Sequence, residues 1–207
     1  VFKNQIQESI GKYSKYVIMN FDHSEVAETL KQLDSKKVLV IDWNINAEDQ
    51  QAQIYQDFGE SVYEALQSGI DRIKKYEHFC LVYPDYTYHP YETVEFFLRF
   101  CKNNKIKHSI YTDADSIEVK KNTVYFSVSD RAMVKILDKA REKDLEFGED
   151  IGLISYNETP MKKYIDKGIT VISTDFNLMG KKLAAFVLDA EEKSYCVPTQ
   201  LILRKSL

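Results

Sequence analysis

Short unbroken apolar runs alternate with segments of helical period along nearly the whole chain. The runs are YVIMNF (16–21), VLVID (38–42), HFCLVYP (78–84), HSIYT (108–112), TVYFSV (123–128), DIGLISYN (150–157), ITVIST (169–174) and a closing QLILR (200–204). Between them apolar residues recur every third or fourth position. Examples are Phe2, Ile6 and Ile10; Val26, Leu30 and Leu33; Val62, Leu66, Ile70 and Ile73 within 59–75; and Val94, Phe97, Leu98 and Cys101. Met133, Ile136, Leu137 and Ala140 repeat the pattern, as do Leu178, Leu183, Ala184 and Val187. A run without polar alternation reads as a strand covered on both faces, and strands alternating with helices make βαβ units. The pattern therefore predicts an α/β chain with mainly parallel sheets flanked by helices.

In such sheets ligands bind beyond the carboxyl ends of the strands. Those ends read Asn20-Phe21-Asp22-His23, Asp42-Trp43, Asp85-Tyr86, Asp113, Ser129-Asp130 and Asn157-Glu158. Turns favour Asp and Asn in any case, so each end has a plain reading beside the functional one.

Composition excludes several classes. The formal net charge is −4, which gives the chain no electrostatic hold on nucleic acid by itself. No stretch approaches the roughly 20 apolar residues that span a bilayer. Cys80, Cys101 and Cys196 are odd in number and widely spaced. They predict free, buried thiols and a reducing cytoplasm. His23, His78, His89 and His108 lack ligand spacing, so no metal is expected. Seven glycines form no phosphate loop, so no nucleotide cofactor is expected either. No Gly-x-Ser-x-Gly elbow occurs, which argues against a hydrolase or transferase and for a protein that is not an enzyme. The chain opens at Val1 with neither an initiator Met nor a secretory signal, which predicts a segment ahead of it.

The last third carries a family resemblance. FGEDIGLISYNETP (147–160), ITVISTDFNLMGKKLA (169–184) and QLILRKSL (200–207) stand in the order and spacing seen in LacI/GalR-type repressors. VLVID, QDFGESVYEAL (56–66) and VYFSVSDRAM (124–133) extend the likeness over most of the chain. More narrowly, the YVIM and GITVISTDF phrases resemble Bacteroidetes regulators that join a GntR-type winged helix to this domain, among them fucose-operon regulators.

The resemblance implies a two-lobed, type I periplasmic-binding-protein-like fold with an incomplete N-terminal lobe. Three crossings would fall near Gln56, at Thr174-Asp175, and between Lys193 and Cys196. Lobe one would hold 1–56 plus 175–193, and lobe two 57–174 plus 194–207. A DNA-binding domain is expected upstream and is absent from the chain. Implied partners are a small sugar effector, a second copy of the protein in a homodimer, and operator DNA through that missing winged helix; no membrane is implied. A free sugar-binding protein serving a transport system is the alternative. The sequence departs from the family at Ser129-Asp130, where many relatives have Asn-Asp, at Glu92, where many carry an arginine, and at Asn157, where the motif has aspartate.

The candidate ligand-binding residues are Asp42, Trp43, His89, Glu92, Ser129, Asp130 and Asn157. Asp42 can accept two hydroxyls or simply cap a turn. Trp43, the single tryptophan, can stack on the C–H face of a sugar or be packed in a core. Asn157 offers both donor and acceptor. Ser129 and Asp130 read equally as a helix N-cap. His89 and Glu92 stand at the start of a helix, where an acidic residue is favourable without any ligand. The Lys/Glu-rich stretch 139–149 reads as a solvated helix face.

Overall fold

A computed structural model describes residues 2–19, 28–43, 52–188 and 194–207. Val26 of the second stripe and the strand end at 20–23 lie outside them. The chain divides into two compact units, 1–57 with 175–198 and 58–174 with 199–207.

The first unit begins with α1 (Phe2–Ser9) and β1 (Tyr16–Met19). After β2 (Val38–Asp42) and β3 (Ala52–Gln56) it resumes with α6 (Phe176–Val187) and β9 (Ser194–Val197). Its sheet runs β1-β2-β3-β9, with every pair parallel. One face packs Ile6, Tyr16, Ile18, Leu30, Leu33, Val38 and Val40 together. The other gathers Leu39, Ile54, Met179, Phe186 and Val197. β1 departs from its reading as a fully buried strand: Val17 and Met19 are exposed while Tyr16 and Ile18 are buried.

The second unit holds α2 (Glu60–Ser68), α3 (Ile70–Ile73), β4 (His78–Val82), α4 (Glu92–Asn104), β5 (Lys107–Tyr111) and β6 (Thr123–Ser127). It continues with α5 (Asp130–Glu142), β7 (Ile151–Tyr156), β8 (Thr170–Thr174) and β10 (Thr199–Ile202). Its sheet order is β10-β8-β7-β6-β4-β5, parallel except where β10 meets β8. All residues of β6, β7 and β8 are buried, which is why their sequences lack polar alternation.

The helix expected over 59–75 is two helices. Gly69 interrupts it, and a Cβ there would lie 2.4 Å from the Leu201 side chain. The FGED turn also needs its glycine: Gly148 has φ +85°, and a Cβ would meet the Lys205 carbonyl oxygen at 2.1 Å.

Two strands escaped the sequence reading. β3 lies in a stretch with polar residues at 53 and 56, and β9 carries a single buried residue. β9 also corrects a boundary. The family resemblance implies that residues 194–197 belong to the second lobe, yet Ser194–Val197 pair in register with Gln53–Gln56 of the first unit. The chain leaves that sheet at Pro198, which has no N–H to extend a ladder.

Candidate functional site

The second sheet gathers its polar groups at the carboxyl ends of β4, β6 and β7, and the arrangement follows from local chemistry. After β6, Ser129 is the N-cap of α5, with its hydroxyl oxygen accepting from the Ala132 N–H at 3.4 Å. Its backbone is held by Ser127, whose hydroxyl donates to the Ser129 carbonyl at 2.8 Å. The Tyr86 hydroxyl, from the loop after β4, stands 3.4 Å from Ser129 Oγ, and Arg131 lies over the Tyr86 ring. The cap reading of Ser129 is thus realised in the structure.

Asp130 opens α5 and is more than half exposed, but one carboxylate oxygen receives Lys162 at 2.7 Å. Lys162 is only 1% exposed. Its ammonium also donates to the Tyr156 carbonyl at 2.8 Å and the Asn157 carbonyl at 2.7 Å. Three protons meet three acceptors, which is how a lysine is tolerated in a protein interior. Burial pushes the Lys162 ammonium below its usual range, and Asp130 pulls it part of the way back. The clamp fixes the end of β7, where Asn157 takes a left-handed backbone with φ 60°. Among the described residues the buried Asn157 side-chain oxygen has no hydrogen-bond partner, and neither do Ser155 Oγ and Glu158 Oε1. The other Glu158 oxygen is paired with Arg204.

After β4 the chain turns through Pro84 and Pro90 into α4. His89 sits in an aromatic box: its ring centroid is 4.4 Å from Tyr156, 5.2 Å from Phe58 and 6.3 Å from Tyr83. His89 Nε2 lies 2.7 Å from Thr93 Oγ1, and the Thr93 hydroxyl donates to the Phe58 carbonyl at 2.8 Å. The Tyr83 hydroxyl donates to the His89 carbonyl. Burial drives the His89 imidazole down to about 3, so the ring is neutral at any ordinary pH. Glu92 starts α4 and points to solvent.

His89, Ser129, Asp130 and Asn157 are therefore drawn around the end of β7 through Tyr156 and Lys162. Among the described residues no hydrogen bond or ion pair ties Glu92 to this group. Asp42 and Trp43 belong to the first unit and are described there. Asp42 ends β2 with φ 79°, accepts a hydrogen bond from the Gln56 amide at 2.5 Å, and is half-buried. Burial raises its carboxyl above the ordinary range, and the Gln56 bond opposes that rise. Trp43 is half-buried beside it. Among the described residues no group of three His, Cys, Asp or Glu side chains is placed to hold a metal.

Sequence reasoning missed Lys162, Thr93, Tyr83 and Tyr156. Tyr156 closes an apolar run directly before Asn157, a legible position. Lys162 sits in PMKKY beside another lysine, and nothing in that string distinguishes the buried one from the exposed one.

Two sheets, each built largely of parallel strands, with the chain passing between the units three times, define the class to which these residues belong. Residues 72–207 match the family model of the periplasmic binding protein-like domain, and the chain belongs to that family. No curated protein matches the sequence. Among solved structures, a transcription regulator-like protein from Staphylococcus haemolyticus superposes with a TM-score of 0.79 at 15% identity, covering 100% of this chain and 79% of that one. A LacI family transcriptional regulator from Lactobacillus casei with bound sucrose gives 0.78 at 14% identity, covering 100% and 82%. The Escherichia coli transcriptional repressor ascG gives 0.78 at 12%, covering 100% and 81%. At these identities the likeness establishes the fold.

Proposed function

We propose that this chain is the effector-binding and dimerisation domain of a bacterial transcription regulator, and that it binds a neutral monosaccharide between its two lobes without performing chemistry on it. The observation that carries the reading is the buried Asn157 side-chain oxygen at the carboxyl end of a central parallel strand, which has no hydrogen-bond partner among the described residues. A buried acceptor without a donor is costly, and a sugar hydroxyl supplies one. In open α/β sheets ligands bind beyond the carboxyl ends of the strands, which supports this end as the site. Solved relatives in fold include Lactobacillus casei regulators holding glucose or sucrose and the trehalose repressor of Escherichia coli.

The cations at this end of the second unit favour a neutral ligand over a sugar phosphate. Lys162 is saturated by three oxygens, Arg131 lies over Tyr86, and Arg204 is tied to Glu158. Asp42 and Trp43 of the first lobe, with His89, Glu92, Ser129, Asp130 and Asn157 of the second, form the proposed contact set. In this reading the full-length protein is a cytoplasmic homodimer with a GntR-type winged helix ahead of Val1, and lobe closure on the sugar changes the spacing of the two DNA-binding domains. The phrases YVIM and GITVISTDF, which resemble fucose-operon regulators of Bacteroidetes, support this reading.

A thermal-shift panel of monosaccharides tests the reading. A ligand at one hundred times its Kd stabilises the native state by about 2.7 kcal/mol. Asp42→Ala and Asn157→Ala are each expected to weaken the sugar found by about 1–3 kcal/mol in calorimetry. Normal folding with undiminished affinity in both variants overturns the site. A signal peptide in place of the winged helix at the start of the full gene would turn the reading to a transport protein.

A further inference from the structure

A hydroxyl carries one proton, and at Thr93 the structure says where it goes. The Phe58 carbonyl can only accept, so the Thr93 hydroxyl donates to it, at 2.8 Å. Thr93 Oγ1 then has lone pairs left for His89 Nε2, 2.7 Å away. The short Nε2–Oγ1 contact therefore requires a proton on Nε2. Thr93 is fully buried on the first turn of α4, so the relay is shielded from water and its geometry is set by the helix. The rings of Phe58, Tyr83 and Tyr156 around the imidazole offer no carboxylate to stabilise a second proton. The Tyr83 hydroxyl is spent on the His89 carbonyl, and the backbone N–H of His89 donates to Thr87 Oγ1 at 3.1 Å. A neutral ring with its proton on Nε2 has a bare lone pair on Nδ1, and no donor among the described residues meets that atom.

We infer that His89 is a specificity-determining residue of the proposed sugar site: the Thr93–Phe58 relay locks it in the Nε2–H tautomer, and its Nδ1 selects a ligand that presents a hydrogen-bond donor. The inference rests on the sugar reading above and sharpens it. Tyr156, 4.4 Å from the His89 ring centroid to centroid, directly precedes Asn157, whose side-chain oxygen is also unpartnered. Two acceptors at one end of the sheet call for a ligand with free hydroxyls there. An ether, a carboxylate or a phosphate at the same place brings acceptor against acceptor. Thr93 is a positioning residue, because it acts on the ligand only through His89.

The test separates the tautomer from the ligand. Nitrogen-15 NMR of the ligand-free protein reads the tautomer directly, with Nε2 protonated and Nδ1 bare as the expected state. In Thr93→Val the Nε2–H loses its buried acceptor, so the proton moves to Nδ1, where water receives it. Thr93→Ser keeps the hydroxyl and is expected to keep the parent tautomer. The tightest sugar of a monosaccharide panel and its singly O-methylated analogues are then titrated against all three proteins. The parent and Thr93→Ser are expected to discriminate against methylation at one hydroxyl. Thr93→Val is expected to bind the free sugar roughly tenfold more weakly, the effect of one lost hydrogen bond, and to lose that discrimination. An Nδ1–H tautomer in the parent overturns the proposal, and so does an unchanged analogue ranking in Thr93→Val. A panel in which no sugar binds removes the reading on which the role of His89 rests. That failure is told apart because the tautomer is measured without ligand.

Discussion

His89 shows how a single residue ties stability to pH. The folded ring is driven down to about 3 by burial, against an ordinary 6.5. The folded value lies below the unfolded one, so the stability linked to His89 is complete above pH 6.5 and is lost as pH falls toward 3. Between pH 6 and 4 the unfolded chain takes up a proton here that the native chain refuses. One such proton corresponds to about 1.4 kcal/mol per pH unit. Urea unfolding of the parent and of His89→Gln across that interval checks this. The parent is expected to lose stability more steeply, with the difference in slope approaching that value. Parallel slopes would mean that the imidazole is not held neutral. Lys162 illustrates the other way to bury a titratable group: its charge is kept, and every proton is given an oxygen.

At the scale of elements, α5 and the segment between β5 and β6 form a pair that the sequence did not announce. Lys135 and Lys139 on α5 and Lys143 at its C-cap are spaced four apart. The Lys135 ammonium meets the Asp115 carboxylate at 2.8 Å. Lys139 donates to the Asp115 and Ile117 carbonyls at 2.7 and 2.8 Å, and Lys143 to the Val119 carbonyl at 2.9 Å. Four helical residues rise about 6 Å and two extended residues about 6.6 Å, so each turn of the helix meets every second residue of the strap. The stretch 139–149, read as a solvated face, therefore holds the strap with its first lysines. Ala114, Ile117 and Val119 are buried beneath it. Lys120 and Lys121 in the strap are exposed and open to trypsin. Lys139→Met removes a charged donor worth about 1.5 kcal/mol, so native-state nicking at these lysines is expected to quicken roughly tenfold. Nicking at the parent rate would show that the ammonium ladder does not hold the strap.

At the scale of the whole molecule, the closing residues do more than end a strand. The Ser206 hydroxyl donates to the Leu153 carbonyl at 2.7 Å and accepts from the Thr170 N–H at 2.8 Å. The Leu153 N–H donates to the Ser206 carbonyl at 2.7 Å. One buried serine thus joins the tail to β7 and β8 at once, and Lys205 packs over Gly148. Ser206→Ala leaves both partners of its hydroxyl unpaired in the interior, and is expected to lower stability by about 1–3 kcal/mol in chemical unfolding. An unchanged midpoint would mean that water replaces the hydroxyl. The two units carry separate cores, and each sheet is closed by a strand from the last stretch of chain, β9 in one and β10 in the other.

The sequence by itself determined the α/β class, the parallel strands of the second unit and the polar ends at which Ser129, Asp130 and Asn157 stand. It could do so because burial on both faces leaves an unbroken apolar run, and because a helix writes its period into its apolar residues. β3 and β9 were not legible, since polar residues at an edge or on one face break the run without breaking the strand. The placement of β9 in the first unit was decided by its register against Gln53–Gln56 and by Pro198, not by any local preference of its residues. The same holds for the site. The buried lysine of PMKKY is held partly by Asp130 of α5, and the Thr93 hydroxyl that meets His89 is oriented by the Phe58 carbonyl, so both depend on contacts between segments far apart in the chain. No local pattern encodes such contacts, so only the tertiary structure decided them.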